Sequence, residues 1–198
     1  MRVVVATGNP GKWAEIRAIL DGAVFDVCGL DEWAPVDFPE EGADYATNAI
    51  LKARTVAHHT GELAVADDSG LEVEALDNAP GPYSARYGGE ALDDTGRVAH
   101  LLQALKAVAP DQRRARFVCV AAAVSPDGRT ITARGECPGQ ILTAPRGRGG
   151  FGYDPIFQPA PHDRAMAELS SQEKNSLSHR AQAFRALANQ LPTLAPPP

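Results

Sequence analysis

Two adjacent acidic residues, Asp67 and Asp68, follow a short apolar run and precede Ser69-Gly70. Successive side chains of a strand point to opposite faces, so only one of the two carboxylates is expected to enter a shared site. In α/β sheets, ligands gather beyond the carboxyl ends of strands, where a carboxylate can bind Mg²⁺ or accept a proton from water. The pattern predicts metal-assisted hydrolysis, and the alternative is a solvated turn capped by aspartate.

A second candidate is the segment Thr7-Gly8-Asn9-Pro10-Gly11-Lys12, which lies between a valine-rich run and a helical pattern. Backbone N–H groups in such a turn, with a helix N-terminus behind them, can hold phosphate oxygens, and Lys12 adds a positive charge. The segment is not a P-loop, because too few residues separate Gly8 from Gly11-Lys12 and because Trp13 follows the lysine. It is either a phosphate-binding turn or a plain connection from strand to helix.

Three further stretches carry polar groups whose chemistry the sequence leaves open. Glu40-Glu41 precede a predicted helix, where acids are often only partners of the helix dipole. In the glycine-rich segment 149–154, Phe151 can stack on a base and Asp154 can accept hydrogen bonds, or the segment is a tight bend beside a core phenylalanine. Ser178-His179-Arg180 fall within the last predicted helix, and in isolation they indicate its solvent-exposed face.

Hydrophobic periodicity predicts an α/β chain that positions these motifs. Gly22 is expected just past the end of the first helix, and Ser170 with Glu173 resembles a capping box. No linker is evident, so we expect one domain over 1–191, with a disordered Pro-rich tail over 192–198. The predicted strands are 2–6, 24–30, 63–66, 71–76, 115–124 and 129–137, and the predicted helices are 11–20, 43–59, 93–108 and 172–191.

Composition restricts the class of protein. The 198 residues are 44% hydrophobic and 22% charged, as in ordinary globular proteins, and no apolar run approaches the ~20 residues that span a bilayer. The apolar N-terminal run is too short for a signal peptide, so we expect a cytoplasmic protein that does not contact membranes. A net charge of −6 argues against nucleic-acid binding but allows a small phosphorylated ligand held with a divalent metal. The three widely spaced cysteines predict reduced, mostly buried thiols.

Taken together, six stretches in order resemble the inosine triphosphate pyrophosphatase family, also called non-standard purine NTP pyrophosphatases or XTP/dITP diphosphatases. Any one of them is a weak pattern, whereas all of them in register, between Val4 and about Leu191, are specific. The stretches are Thr7-Gly8-Asn9-Pro10-Gly11-Lys12, Asn48-Ala49-Ile50-Leu51-Lys52-Ala53, Ala66-Asp67-Asp68-Ser69-Gly70-Leu71, Pro80-Gly81-Pro82-Tyr83-Ser84-Ala85-Arg86-Tyr87, Gly150-Phe151-Gly152-Tyr153-Asp154-Pro155 and Glu173-Lys174-Asn175-Ser176-Leu177-Ser178-His179-Arg180.

The resemblance implies an α/β protein with two lobes around an elongated mixed sheet and an active site in the cleft between them. It also implies a homodimer that uses Mg²⁺ to hydrolyse ITP, dITP and XTP to monophosphate and pyrophosphate, which clears deaminated purines from the nucleotide pool. Purine selectivity is expected to depend on protein donors that pair with the carbonyl at the 6-position, where adenine carries an amino group.

Site residues follow from the same resemblance, position by position. Asp68 matches the proton acceptor and metal-binding carboxylate, and Glu40 matches a second acidic position near magnesium. Family members usually have Glu before the Asn-Ala of the second stretch, whereas this chain has Thr47. If that Glu assists the metal, then Glu40, Glu41 or Asp44 must replace it here. The implied substrate contacts are Thr7, Gly8, Asn9, Pro10, Gly11, Lys12, Ser69 and Lys174 for the phosphates, and Phe151, Gly152, Tyr153, Asp154, His179 and Arg180 for the purine.

Three other functions compete with this interpretation. A house-cleaning pyrophosphatase for pyrimidine or other modified nucleotides would keep the phosphate site without the Ser178-His179-Arg180 signature. A nucleotide-binding regulator without turnover would more naturally lack Asp68 or Glu40, and both are present. A purely structural interaction protein leaves the polar residues of the six stretches unexplained.

Overall fold

A computed structural model describes residues 1–21 and 25–194. Within these residues, the strands form one sheet in the order β2-β1-β3-β5-β6-β7, with β4 paired to β3. Strand β1 pairs in parallel with β2 and β3, whereas the β3–β4 and β6–β7 pairs are antiparallel, so the predicted mixed sheet is confirmed. The strands are β1 (Arg2–Val5), β2 (Asp26–Cys28), β3 (Leu63–Val73), β4 (Pro80–Gly81), β5 (Arg114–Val124), β6 (Thr130–Ile141) and β7 (Phe157–Pro159).

Four of the described helices begin at a side chain that caps an N–H group of the first turn. Asn9 accepts a hydrogen bond from the Lys12 N–H, and Pro10, which has no N–H to satisfy, occupies the first helical turn. Asp44 caps the second helix in the same way through the Thr47 N–H. None of the described helices is both long and apolar enough to cross a membrane. The helices are α1 (Pro10–Leu20), α2 (Tyr45–Thr60), α3 (Asp94–Ala104), α4 (Ser171–Leu177) and α5 (His179–Ala188).

The chain divides into two compact units, and the first consists of Met1–Asp68, Cys119–Gly135 and the residues from His179 onward. Alternation along its strands explains its two cores. Val3 and Val5 face a core that includes side chains of α1 and α5, whereas Val4 and Ala6 face a second core beneath α2. Because both faces of the strand are buried, its sequence is a continuous apolar run.

The second unit, Ser69–Val118 with Glu136–Ser178, has its own core. Leu71 from β3 and Leu101 from α3 are fully buried there. The rings of Phe117 and Phe157 pack edge to face with centroids 4.6 Å apart, a favourable arrangement for aromatic pairs.

Strand β3 is longer than predicted. The sequence placed a break at Asp67-Asp68-Ser69-Gly70, but a single strand runs from Leu63 to Val73. The segment 74–76, predicted as part of a strand, is a short 3-10 helix. Aspartate and glycine disfavour strands locally, but pairing of β3 with its neighbours and ion pairs to the aspartates outweigh that preference.

The predicted last helix is two helices. The Ser170–Glu173 capping box is present as predicted. Ser178 then adopts an extended conformation with φ −65° and ψ 151°, which ends α4, and α5 begins at His179. Strand β6 approaches α5 so closely that a Cβ atom on Gly135 would lie 2.6 Å from the Ala183 backbone nitrogen.

The last residues that the structure describes form a short helix. Leu191–Leu194 forms a 3-10 helix, and the Leu194 carbonyl accepts a hydrogen bond of 3.1 Å from the Arg129 guanidinium. This helix includes residues 192–194 of the segment 192–198 that the sequence predicts as a Pro-rich tail. Residues 195–198 of that tail lie outside the described residues, as do Gly22 and the first residue of the strand predicted over 24–30.

The cysteines are free thiols, as predicted, and two of them are buried. Burial raises the pKa of Cys137 to about 12, with a smaller upward effect of Asp154 opposed by Lys174. Burial likewise raises the pKa of Cys119 far above its usual range. Burial also raises the pKa of half-buried Cys28, and Arg2 acts in the opposite direction.

These thiols predict a simple titration. At pH 8 the native protein should react with Ellman's reagent slowly and at Cys28 alone, because thiolate is the reactive form and the other two thiols titrate only at much higher pH. Three thiols should react after denaturation. Cys28→Ser should abolish the native reaction, and a rapid reaction in that variant would contradict the assignment.

Candidate functional site

Asp67 and Asp68 lie in the middle of β3 and point to opposite faces of the strand, as the alternation predicted. Asp67 is 2% exposed and forms ion pairs with Lys12 of α1 and Arg180 of α5. Asp68 is 3% exposed and contacts Asn48 and Lys52 of α2. Each buried carboxylate is therefore held by hydrogen bonds to its own set of donors, which burial of a charge requires.

The Asp68 cluster is built on one face of α2. Asn48 Nδ2 lies 2.9 Å from Asp68 Oδ2, and Lys52 Nζ lies 3.3 Å from Asp68 Oδ1. The two donors share a face because they are four residues apart in the helix. Burial raises the pKa of Asp68, whereas Lys52 and Asn48 act in the opposite direction. The net effect is upward, so this carboxylate accepts a proton more readily than an exposed aspartate.

A second carboxylate joins the cluster through Lys52. Glu41 Oε1 lies 2.6 Å from Lys52 Nζ, so one ammonium group contacts two carboxylates. Asn48 also fixes the backbone beside Glu41, since its side chain accepts from the Gly42 N–H at 2.8 Å and donates to the Gly42 carbonyl at 3.0 Å. Asn48 therefore ties this loop to Asp68.

Glu40 and Thr47, the other positions that the sequence singled out near the metal, have different surroundings. Glu40 is exposed, and its role as a metal ligand stays a prediction. The Thr47 N–H and hydroxyl donate to Asp44 at 2.8 and 2.6 Å, so both residues serve the start of α2. The carboxylate next to the Asp68 cluster is that of Glu41.

On the other face of β3, Asp67 binds two cations. Asp67 Oδ2 lies 3.2 Å from Lys12 Nζ and 3.2 Å from Arg180 Nη2. Arg180 Nη1 also lies 2.5 Å from Glu15 Oε2. Burial lowers the pKa of Arg180, but Asp67 and Glu15 raise it by more, so the guanidinium stays charged. Lys12 is thereby anchored next to the predicted phosphate turn.

The segment predicted to bind phosphate is exposed, and hydrogen bonds within it fix its conformation. Thr7 Oγ1 accepts from the Asn9 N–H at 3.1 Å, and Asn9 Oδ1 accepts from the Lys12 N–H at 3.0 Å. Gly8, Asn9 and Pro10 are exposed where β1 ends and α1 begins. An exposed turn at a helix N-terminus suits an anion.

In the second unit, Asp154 and Lys174 form a buried ion pair. The Lys174 ammonium also lies 4.8 Å from the centroid of the Phe151 ring, a cation–π geometry. Asp154 Oδ2 accepts from the Phe151 N–H at 3.0 Å, which closes the glycine-rich loop on itself. Tyr153 is buried and donates to the Ser84 carbonyl at 2.9 Å, so its hydroxyl is used within the core.

Gly150 makes this loop possible. Its φ is +72°, and a Cβ atom there would lie 2.8 Å from the carboxyl carbon of Asp154. Gly152 also has a positive φ, of +60°, but a Cβ atom there would meet nothing within 4 Å. We expect Gly152→Ala to lower the free energy of unfolding by about 1–2 kcal/mol through the left-handed backbone. Gly150→Ala should lower the free energy of unfolding by roughly 1–3 kcal/mol more than Gly152→Ala, because its Cβ atom would also overpack against Asp154. Urea unfolding measures the difference, and equal urea midpoints for the two variants would contradict it.

The other predicted site residues are buried or half-buried. Ser178, His179 and Arg180 are all buried, so the isolated interpretation as a solvent-exposed face is wrong. Ser69 is half-buried directly after Asp68.

The sequence alone gave no role to Asn48, Lys52 or Glu15. The only available signal was the spacing of Asn48 and Lys52 on an alanine-rich face of α2. Among the described residues, no group of three or more His, Cys, Asp or Glu side chains could hold a metal ion.

Comparison with known proteins agrees with these motifs. The sequence profile of the Ham1 family matches residues 3–190. A dITP/XTP pyrophosphatase of Desulforamulus reducens is 48% identical over 186 residues, which cover 93% of this chain and 92% of the relative. The Bacillus subtilis dITP/XTP pyrophosphatase is 44% identical over 192 residues, which cover 95% and 96%.

Solved structures give the same result. The structure of a HAM1 protein from Coxiella burnetii matches with a TM-score of 0.87 at 40% identity, over 98% of this chain and 99% of the other. A nucleoside-triphosphatase, dITP/XTP pyrophosphatase, from Mycobacterium abscessus matches with a TM-score of 0.75 at 42% identity, over 97% and 100%. With nearly its whole length matched in sequence and in fold, the chain belongs to the Ham1 family.

Proposed function

We propose that this protein hydrolyses dITP, XTP and ITP to the nucleoside monophosphate and pyrophosphate. The relatives named dITP/XTP pyrophosphatase match more than nine-tenths of the chain. The observation that carries the proposal is the buried Asp68 carboxylate, which Asn48 and Lys52 orient and whose pKa is raised mainly by burial. A carboxylate of this kind is suited to accept a proton from attacking water.

The proposed metal is Mg²⁺. Proteins usually hold Mg²⁺ through one or two carboxylates together with substrate phosphates, rather than in a closed cage of side chains. Asp68 and Glu41 already share one cation, the Lys52 ammonium, so their oxygens fit a hard cation of this type. Asp68 with Glu41 or Glu40 would hold the metal, which when bound would neutralise part of the triphosphate charge.

The residues of the chain then have distinct proposed tasks. Asp68 accepts the proton of the water that attacks the α-phosphorus, and the α–β bridging oxygen leaves with pyrophosphate. Lys12, anchored by Asp67, stabilises negative charge on the phosphates, and the turn from Thr7 to Gly11 supplies the backbone N–H groups of Gly8 and Gly11. Ser69 and Lys174 are further proposed phosphate contacts.

For purine recognition, the proposed contacts are Phe151, Gly152, Tyr153 and Asp154, with His179 and Arg180. Because the Arg180 guanidinium donates to Asp67 and Glu15, the proposed donors to the 6-carbonyl are the His179 imidazole and the backbone at 179–180. Adenine would place an amino donor opposite these donors. Sites built on such pairing can discriminate between two substrates by a factor of ~10⁴ in kcat/KM.

Product analysis tests the reaction and its specificity together. The purified protein is incubated with Mg²⁺ and, separately, ITP, XTP, dITP, GTP, ATP and dTTP, and pyrophosphate and orthophosphate are quantified. We expect rapid pyrophosphate release from ITP, XTP and dITP, and release from ATP lower by at least 10²-fold. Orthophosphate as the first product would mean attack at the γ-phosphorus. Binding of ITP without turnover would favour a regulator instead.

A further inference from the structure

One of the six stretches of the family resemblance, residues 80–87, has no task in the proposed reaction. At its centre, Ser84 is 8% exposed. Its Oγ accepts a hydrogen bond of 2.8 Å from the Leu71 N–H and donates one of 2.6 Å to the Gly81 carbonyl. Because Leu71 belongs to β3 and Gly81 to its partner β4, Ser84 is fixed to two paired strands.

The backbone of Ser84 holds the glycine-rich loop 150–154. Its carbonyl accepts a hydrogen bond of 2.9 Å from the Tyr153 hydroxyl. Burial raises the pKa of Tyr153 well above its usual value, against a smaller opposing effect of Arg97, so the hydroxyl stays protonated and can donate. The stretch 80–87 therefore connects this loop to β3.

A second contact to the loop comes from the start of α3. Asp94 Oδ2 accepts a hydrogen bond of 2.8 Å from the Gly152 N–H, and Asp94 Oδ1 lies 3.3 Å from Arg97 Nη1. An acid in the first turn of a helix is often only a partner of the helix dipole, and the neighbouring Asp93 already caps α3 through the Gly96 N–H. A carboxylate that binds a backbone N–H 58 positions away has a task outside its own helix.

These two contacts hold neighbouring residues of the loop, Gly152 and Tyr153, directly after the Phe151 ring. Gly152 has a φ of +60°. Glycine enters and leaves this conformation easily because it has no Cβ atom, so the residue does not fix the loop by itself. The hydrogen bonds to Asp94 and to the Ser84 carbonyl supply that restraint.

We propose that Asp94 and the Tyr153 hydroxyl are positioning residues for purine recognition, which hold loop 150–154 in the conformation that receives the base without touching the base. The inference rests on the proposed function in one respect, namely that this loop contacts the purine. Only molecules whose loop is in that conformation bind the base, so the apparent affinity falls with their fraction. Loss of one hydrogen bond should lower it by about 3- to 10-fold.

The effect should depend on the base. Hypoxanthine and xanthine pair with polar groups of the proposed site, whereas adenine does not, so adenine nucleotides lose less when the loop is misplaced. The ratio of kcat/KM for XTP to kcat/KM for ATP is therefore the informative quantity. Partial unfolding lowers both constants alike and leaves this ratio unchanged.

The test measures the ratio, with Mg²⁺, in Asp94→Ala and in Tyr153→Phe, which removes the hydroxyl and keeps the ring. We expect it to fall by about 3- to 10-fold in each variant. Asp94→Asn keeps an oxygen that can accept from the Gly152 N–H, and it should restore most of the ratio. An unchanged ratio in Asp94→Ala or in Tyr153→Phe would overturn the role of the residue concerned.

Asp93→Ala is the matched control, because it removes the neighbouring carboxylate, which caps the same helix. Loss of the cap should lower the melting temperature by about 2–4 °C and leave the ratio unchanged. A fall in the ratio as large as that in Asp94→Ala would overturn the proposal, because fraying of α3 would then explain both results.

A binding measurement separates this inference from the proposed reaction. IMP and AMP are titrated calorimetrically into the nucleotide-free protein. If Asp94→Ala binds IMP about 3- to 10-fold more weakly than the wild type, with little change for AMP, the positioning role is supported even if XTP is not hydrolysed. If the wild type hydrolyses XTP but Asp94→Ala binds IMP as tightly as the wild type, the positioning role is overturned and the proposed reaction stands.

Discussion

Asp68→Asn is expected to slow pyrophosphate release from XTP by roughly 10²- to 10⁴-fold, the range over which a positioned acid or base typically contributes. The amide has nearly the shape of the carboxylate, so β3 and α2 should keep their packing. It can neither accept a proton from water at neutral pH nor bind a hard cation as strongly. The loss should therefore appear mainly in kcat, with KM changed much less.

Two comparisons show whether the loss comes from chemistry at Asp68. Asp111→Asn makes the same chemical change at an exposed residue of a short 3-10 helix and should leave kcat unchanged. Circular dichroism melts should show that Asp68→Asn is still folded at the assay temperature. If the folded Asp68→Asn protein kept more than about a tenth of the wild-type kcat, Asp68 would not be the proton acceptor.

The placement of the two aspartates on opposite faces of β3 was predictable, because it depends only on the pleat of a strand. Asp67 and Asp68 had to point to opposite sides once they were placed on β3. The continuation of β3 beyond them was not predictable, because four residues with low strand propensity indicate a turn. Only the partners explain it: Lys12 and Arg180 satisfy one carboxylate, and Lys52 satisfies the other.

The break between α4 and α5 was hidden for a similar reason. The periodicity of the apolar residues from Leu177 to Leu191 fits one continuous helix, and Ser178 carries no strong helix-breaking signal. What distinguishes His179 and Arg180 from a solvent-exposed face is burial, and for Arg180 the presence of carboxylates from distant segments. Contacts of this kind join residues more than a hundred positions apart, which local propensity does not report.

The Asp68 cluster was predictable from the sequence only in part. Asn48 and Lys52 share a face of α2 because of their spacing, so a shared target was available from the sequence. That the target is Asp68, and that Glu41 rather than Glu40 reaches Lys52, depends on the path of the loop before α2. The hydrogen bonds between Asn48 and Gly42 set that path, and no repeat or periodicity in the sequence encodes them.

Arg180→Met is expected to produce the largest loss of stability, about 3–5 kcal/mol in the free energy of unfolding. Arg180 is 2% exposed and donates to both Asp67 and Glu15. Methionine fills much of the same volume but leaves these carboxylates without their shared cation, and Lys12 can offset only part of the charge on Asp67. At about 2–4 °C per kcal/mol for a chain of this size, the melting temperature should fall by about 6–20 °C.

Arg116→Met provides the control for this loss, because it removes an arginine whose side chain is 45% exposed and which lies 2.7 Å from Glu72. An ion pair made by a solvent-exposed arginine contributes about 0–1 kcal/mol, so the melting temperature of Arg116→Met should change little. The double variant Arg180→Met with Asp67→Asn should lose less stability than the sum of the single variants, since removing the charge relieves the unpaired carboxylate. If the losses were instead additive, the importance of Arg180 would come from its packing and not from the charge that anchors Asp67 and, through it, Lys12.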